Sequence, residues 1–429
     1  MQRLFQLFYE CTGVSTDTRK IEINNLYVAL KGENFNGNKF ANDAIEKGAK
    51  FAIVDEEKFA DNEKIFYTEN GLAFLQHLAN HHREKFSIPV LGITGSNGKT
   101  TTKELIAAVL SEKFNILYTE GNLNNHIGVP LTLLRLNNDH DIAIIEMGAS
   151  KPGDIEELTR IANPTHGIIT NIGNAHLEGF GGPEGVIKTK KELYDSIESV
   201  GGTLFMNADD EVLMEVLPKD IETITYGESS DANIHGQLDE FIPEVVFSWK
   251  SKTGHGTEVR THIIGKYNFY NMLAAVAIGD YFEVNDSDIN TAISNYIPKN
   301  NRSQIEQTDR NTLILDAYNA NPTSVRSSLE SFNAMPYEEK FFVLGDMKEL
   351  GTDSLRFHQE IIDLTQKLHL QGIFVGSEYA TIAQNNDQIM AFESTEEAKI
   401  FLETAKPNKN LILLKGSRSI GLERLKDIF

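Results

Sequence analysis

The stretch Thr94-Gly95-Ser96-Asn97-Gly98-Lys99-Thr100 constrains this chain more than any other. The apolar run Val90-Leu91-Gly92-Ile93 leads into it as a short buried strand. Lys99-Thr100-Thr101 then opens a helix on which Leu105, Ala108 and Val109 share one face at i, i+3, i+4 spacing. Gly95 and Gly98 let the backbone bend so that successive N–H groups converge on an anion, and the helix N-terminus adds partial positive charge. In such a strand–turn–helix, Lys99 reaches the β- and γ-phosphates of a nucleoside triphosphate and the Thr100 hydroxyl approaches Mg²⁺. The spacing departs from the usual phosphate loop, because isoleucine occupies residue 93, where the first glycine would stand. A GTP switch is not expected: Asn38-Lys39 and Asn408-Lys409 lack the aspartate of a guanine-reading motif.

Around this loop, residues 142–145 and 167–170 are apolar or β-branched runs without polar alternation, the pattern of a parallel sheet covered on both faces. The 429 residues suggest two to four domains. Residues 1–85 read as a small α/β domain, with strands at 26–30 and 51–54 and a helix at 40–47 between them. Residues 86–298 form a central domain that carries the phosphate loop. Within it, residues 201–264 are strand-like, hold the only tryptophan, Trp249, and read as a peripheral sheet. A helix follows at 268–282. The polar joint Pro298-Lys299-Asn300-Asn301 marks the second boundary and a hinge. Residues 299–429 resume βα alternation, with strands at 312–315, 341–344, 373–375 and 411–414, and Pro322 suits the first turn of a helix. The expected fold is α/β in three domains, the last of them Rossmann-like.

Composition narrows the partners. With 62 acids against 40 bases the net charge is −22, which disfavours a surface that binds nucleic acid non-specifically. An anionic ligand is still compatible, provided that the bases are clustered in clefts. One cysteine, Cys11, excludes an internal disulfide and a cysteine-built zinc site and fits a reducing cytoplasm. The N-terminal MQRLFQLFYE lacks the pattern of a signal peptide, and the apolar run 272–278 stops at Gly279-Asp280, short of the ~18–20 residues of a membrane span. Insertion into a membrane is therefore not expected.

Two downstream residues are candidates for metal contact. Glu146 ends a buried run at the carboxyl edge of a parallel strand, where α/β sheets place ligands, and a carboxylate there can bind Mg²⁺. A helix cap or a surface position would also explain it. His176 ends the loop after the run at 167–170; a loop histidine is equally compatible with a structural role.

Thr94–Thr100, Ile144-Ile145-Glu146-Met147-Gly148-Ala149 and Thr170-Asn171-Ile172-Gly173-Asn174-Ala175-His176-Leu177-Glu178 together resemble the Mur ligase family of ATP-dependent amide-forming enzymes. The resemblance spans essentially the whole chain. Residues 121–130 (GNLNNHIGVP) resemble a loop shared with sister ligases, and 316–324 (DAYNANPTS) and 344–351 (LGDMKELG) are more particular to the branch that joins D-alanyl-D-alanine to UDP-N-acetylmuramoyl-tripeptide, to which the chain is most similar. That resemblance implies a role for each matching residue. By it, Gly95, Ser96, Asn97, Gly98, Lys99, Thr100 and Thr101 hold the ATP phosphates. Thr100 and Glu146 meet one Mg²⁺, and His176 and a carbamylated Lys190 meet a second, the carbamate converting a cation into an anionic oxygen ligand. Without the resemblance, Lys188, Lys190 and Lys191 would be a solvated helix face. Asn268 and Asn271 lie near adenine, with Tyr267 where the family usually has histidine; N-capping is the alternative role for Asn268. Arg302 and Asp316 reach the phosphates and ribose when the domains close. Ser15, Asp17 and Arg19, with residues 29–32 and 35–37, belong to the UDP-sugar module. Asn319, Asn321 and His358 lie near the dipeptide.

The implied reaction is acyl transfer in two steps: the tripeptide carboxylate attacks the γ-phosphate and expels ADP to give an acyl phosphate, and the dipeptide amine then attacks the acyl carbon and displaces phosphate. The chain is expected to act in the cytoplasm, as a monomer. A sister Mur ligase adding another amino acid, a folylpolyglutamate synthase and a catalytically silent ATP-binding scaffold are the alternatives. No Asp-Asn-Pro-Arg motif of the diaminopimelate-adding sister occurs, and intact Lys99, Glu146, His176 and Lys190 speak against the scaffold.

Overall fold

In the strand Leu26–Val28, alternate side chains point to opposite faces. Leu26 and Val28 join one apolar cluster, and Tyr27, with Ala29 beyond it, joins another. Such two-sided burial recurs in the three large sheets of the computed structural model, which describes residues 2–299, 301–384 and 386–429. Asn300 of the expected joint lies outside the described residues.

The N-terminal sheet is four-stranded and parallel, in the order Val14–Ser15, Leu26–Val28, Phe51–Val54, Ile65–Tyr67. The expected helix is present as Ala41–Glu46, and the loop before it folds into the small hairpin Lys31–Gly32/Phe35–Asn36. The central sheet has nine strands. Its parallel part runs Ile234–Glu240, Glu222–Gly227, Thr203–Asn207, His166–Ile169, Val90–Thr94, Ile142–Glu146, Ile116–Tyr118, and Val246–Lys250 and His255–Arg260 add antiparallel strands at one edge. Residues 201–264 are thus strand-rich as expected, but they extend the central sheet rather than build a second one. The reason is a shared core: Tyr226, Ile234, Phe247 and Trp249 pack in the same cluster as Leu91, Ile93 and the helix Phe269–Tyr281. That helix is buried nearly all round.

The C-terminal sheet runs Gln304–Gln307, Thr312–Asp316, Leu411–Lys415, Lys340–Gly345, Gln371–Val375, Ala391–Phe392, with only the first pair antiparallel. Pro322 occupies the first turn of the helix Pro322–Ala334, whose N-cap Asn321 forms a capping box with Ser324. Two cores cross the expected domain boundaries. Phe5, Phe8, Phe74 and Leu78 pack with Val129, Leu133 and Leu158; Leu177, Phe180 and Val186 pack with Met347, Leu350 and Phe357. None of the described helices is long and apolar enough to cross a membrane.

The topology also fixes the place of a site. From Val90–Thr94 the chain crosses beyond Ile142–Glu146 to Ile116–Tyr118, returns to Ile142–Glu146, and then passes to His166–Ile169 on the other side. The strand order reverses at the carboxyl end of Val90–Thr94, where open α/β sheets form a ligand crevice.

Candidate active site

The loop 95–98 occupies that crevice. Gly98 is left-handed, with φ of 79°, and caps the helix Lys99–Ser111. Gly95, with φ of 146°, lies so close to Thr170 that a Cβ would sit 2.0 Å from its hydroxyl. Both glycines are thus required by geometry. The segment after His166–Ile169 braces the loop: the Ser96 N–H donates to Asn171 O at 3.0 Å, and the Asn97 N–H to Asn171 Oδ1 at 3.0 Å. Lys99 Nζ folds back to donate to Gly95 O at 2.7 Å and Ser96 O at 3.3 Å. Burial pulls the Lys99 amine down to about 8 against the opposing pull of Glu146, and Arg302 lowers it further.

Glu146, at the end of the neighbouring strand, is 1% exposed. Its Oε1 accepts from the Thr100 hydroxyl at 3.1 Å and from Asn124 Nδ2 at 2.8 Å. Its Oε2 is buried without a hydrogen-bond partner, and Lys103 Nζ is 3.9 Å away. An orphaned carboxylate oxygen beside a threonine hydroxyl fits a hard divalent cation that takes oxygen ligands. Among the described residues no group of three or more His, Cys, Asp and Glu side chains could hold a metal, so phosphate and water would complete such a shell.

His176, on the other flank, has φ of 53° and touches the Glu349 carboxylate through Nδ1. Lys190 lies on the helix Pro183–Ser199, is 2% exposed, and sits 5.5 Å from the centre of the Phe180 ring. Burial, and then the charge of Lys99, hold its amine well below the ordinary lysine range. The helix thus separates the three lysines: Lys190 points inward, Lys188 is exposed, and Lys191 pairs with Asp195.

A cavity of about 550 Å³ unites the central and C-terminal domains over this floor. It brings together Ser96–Thr101, Glu146, His176, Asn268, Asn271, Arg302, Asp316, Asn319 and Asn321. Asn268 stands at the N-cap of the helix Phe269–Tyr281, but its side chain makes no capping hydrogen bond: its Nδ2 donates to Ile264 O at 2.8 Å and its Oδ1 accepts from Asn271 at 2.8 Å. Tyr267 donates to or accepts from the Ser303 hydroxyl at 2.8 Å. The Arg302 guanidinium stacks 3.7 Å from the Tyr318 ring centre, and Asp316 accepts from Lys415 Nζ at 2.6 Å and from the Ser328 hydroxyl at 2.8 Å. Asn321 Nδ2 donates to Asn97 Oδ1 at 2.7 Å, so the C-terminal domain touches the phosphate loop itself.

This constellation has relatives. Residues 10–83 match the model "Mur ligase family, catalytic domain", residues 93–279 "Mur ligase middle domain", and residues 301–418 "Mur ligase, glutamate ligase domain". The UDP-N-acetylmuramoyl-tripeptide–D-alanyl-D-alanine ligase of Bacillus subtilis is 35% identical over 97% of this chain and 93% of its own. The chain belongs to the Mur ligase family. A crystal structure of MurF from Acinetobacter baumannii superposes with a TM-score of 0.89 at 30% identity, covering 99% of this chain and 97% of that one. MurF ligase from Thermotoga maritima in complex with ADP superposes at 0.83 and 26% identity, covering 97% and 96%.

Not every expected residue of this Mur ligase reaches the cavity between the central and C-terminal domains. His358 does not: it is 0% exposed, and its Nε2 accepts the Met347 N–H at 3.0 Å. Its neighbours saturate it, and it holds the loop 346–350 instead of facing the cavity. Asp17 and Arg19 line a separate cavity of about 610 Å³ in the N-terminal module, beside the stacked, exposed rings of Phe35 and Phe40. Ser15 stands behind them, its hydroxyl bonded to the backbone of Asp17. Hydrogen bonds from Arg19 pull the Asp17 carboxyl down to about 2, and the Arg19 side chain is 85% exposed. Lys99 and Arg302 thus lie in the cleft between the central and C-terminal domains, and Arg19 lies outside it. The Mur ligase cavity also recruits Asn124, Tyr318 and Lys415, with Lys103 behind Glu146. The motif Gly121–Pro130 could have flagged Asn124; nothing local marks Lys103 or Lys415.

Proposed function

We propose that this protein is the ATP-dependent ligase that joins D-alanyl-D-alanine to UDP-N-acetylmuramoyl-tripeptide in peptidoglycan precursor synthesis. The observation that carries the reading is the single cavity in which Lys99, Thr100, Glu146 and His176 of one domain face Arg302, Asp316 and Asn321 of another. Residues 1–85 would hold the UDP-sugar, with Phe35 and Phe40 offering a flat apolar face to the base. Residues 86–298 would bind ATP, and residues 299–429 would close over it and admit the dipeptide. The chain would act as a cytoplasmic monomer.

Gly95, Ser96, Asn97, Gly98 and Thr101 would line the phosphate cradle, and Lys99 would leave Gly95 O to neutralise the γ-phosphate. Asn268 and Asn271 flank the adenine side, and Asp316, held by Lys415, would accept from the ribose. Mg²⁺, held by Thr100 and Glu146 at one site and by His176 and a carbamylated Lys190 at another, would supply charge neutralisation at the transferring phosphate. The Asn97–Asn321 contact and the Arg302–Tyr318 stack cover the phosphates and keep water from an acyl phosphate. Orientation carries much of the acceleration, since the reaction needs no side-chain nucleophile.

Gly98 gives a local test of the cradle. An alanine there would occupy left-handed backbone, costing about 1–2 kcal/mol, and its Cβ would lie 2.7 Å from Asn271 Oδ1. Gly98→Ala should weaken ADP binding by about tenfold or more in a calorimetric titration.

The reading itself is tested by phosphate release from purified protein, ATP and Mg²⁺. Turnover should require UDP-N-acetylmuramoyl-tripeptide and D-alanyl-D-alanine together. Turnover with the dipeptide precursor plus a diamino acid, or with a folate plus glutamate, would overturn it.

A further inference from the structure

Glu349 lies in the C-terminal domain on the loop after Lys340–Gly345, and His176 lies in the central domain. The two meet although neither belongs to the other's sheet. Both have left-handed backbones, φ of 65° at Glu349 and 53° at His176, a conformation that non-glycine residues adopt only when their surroundings impose it. The surroundings are visible. The Met347 N–H is held by His358 Nε2 at 3.0 Å, the Lys348 N–H by the Ser417 hydroxyl at 3.0 Å, and the Asp346 carboxylate accepts from the N–H groups of Glu378 and Tyr379. Across the boundary, the Glu178 N–H donates to Glu349 O at 3.3 Å. Leu177 and Phe180 pack with Met347 and Leu350 in one apolar cluster. The loop therefore brings the Glu349 carboxylate from a rigid mount into contact with Nδ1 of His176, a buried atom that is otherwise without a partner.

We infer that Glu349 is a positioning residue: by engaging Nδ1 it fixes the imidazole so that Nε2 is the nitrogen presented to the phosphate cavity. A carboxylate on one ring nitrogen is the arrangement that orients a histidine toward a ligand on the other. The His176 flank of the site is then complete only while the C-terminal domain is docked, which ties nucleotide-side chemistry to the domain that admits the second substrate. This inference rests on the ligase reading for its purpose, though not for its geometry.

The test uses ADP and Mg²⁺, without turnover, on the full chain. Glu349→Ala should raise the Mg²⁺ concentration needed for half-maximal ADP binding by about 10–100-fold. Glu349→Gln, whose amide oxygen still accepts from Nδ1–H, should stay within about threefold of the unsubstituted protein. The KM for D-alanyl-D-alanine should be unchanged in both. In the nucleotide-free protein, ¹⁵N-edited imidazole spectra should show His176 protonated on Nδ1, and Glu349→Ala should turn that signal into a mixture of tautomers. An unaltered Mg²⁺ requirement in Glu349→Ala overturns the inference and leaves the ligase reading intact. If Glu349→Ala does not fold, the unsubstituted protein decides: a His176 ring protonated on Nε2 overturns it. Absence of phosphate release with both substrates would instead sink the ligase reading, while the ADP titration still judges Glu349.

Discussion

Lys99→Ala should lower the rate of ATP-dependent ligation by about 10²–10³-fold, the loss expected when one preorganised charge is removed from a transferring phosphoryl group. The titration of this lysine adds a second signature. With its amine pulled to about 8 by burial, Lys99 loses its charge as the pH rises through that value. A triphosphate brought beside it favours the ammonium form again, so nucleotide binding should take up protons near and above pH 8. Below about pH 7 the lysine is already charged and the uptake should vanish. Affinity should accordingly decline as the pH climbs past 8. Calorimetry in two buffers of unlike ionisation heat reads the proton count directly, and Lys99→Ala should abolish it. Equal proton uptake in the variant would assign the linkage to another group.

Lys190→Ala should cost a comparable 10²–10³ in turnover while ADP still binds. Carbamylation joins a neutral amine to CO₂, forming the N–C bond and releasing a proton, so it needs a lysine that is uncharged at neutral pH. Lys190 meets that condition through burial beside another cation. Lys188 is instead exposed, and Lys191 pairs with Asp195 on the outer side of the helix. Small carboxylates such as acetate should restore part of the activity of Lys190→Ala by filling the space of the carbamate, and depleting CO₂ should slow the unsubstituted protein. Lys188→Ala and Lys191→Ala should be nearly silent. Full activity in Lys190→Ala, or failure of every small acid to rescue it, would remove the carbamate from the mechanism.

Some of this site was legible in the chain and some was not, because the signals differ in how local they are. The phosphate loop announces itself because left-handed glycines, a lysine and a threonine must fall within seven residues. Glu146 is legible because an apolar run buried on both faces ends at a carboxylate. Parallel pairing explains the rest: each strand gains its neighbour from a distant segment, so no local pattern says that Glu222–Gly227 will lie beside Thr203–Asn207 and make one sheet of nine. Lys415 reaches Asp316 across 99 residues, and Glu349 reaches His176 from another domain. Family resemblance, rather than periodicity, pointed to Lys190, Arg302 and Asp316. It misplaced His358, because a motif records that a residue is present and not which way its ring faces.

The apolar cluster that runs unbroken from Phe5, Phe8 and Phe74 to Val129 and Leu158 has a consequence for engineering. The N-terminal module is not a cartridge that can be exchanged along the boundary near residue 85. A graft from another ligase would have to carry the matching faces of Gly128–Leu133 and Asp154–Ala162 with it, or leave half a core facing water. The N-terminal module is therefore welded to the body that carries the phosphate loop, and redesigning one end means recutting the other.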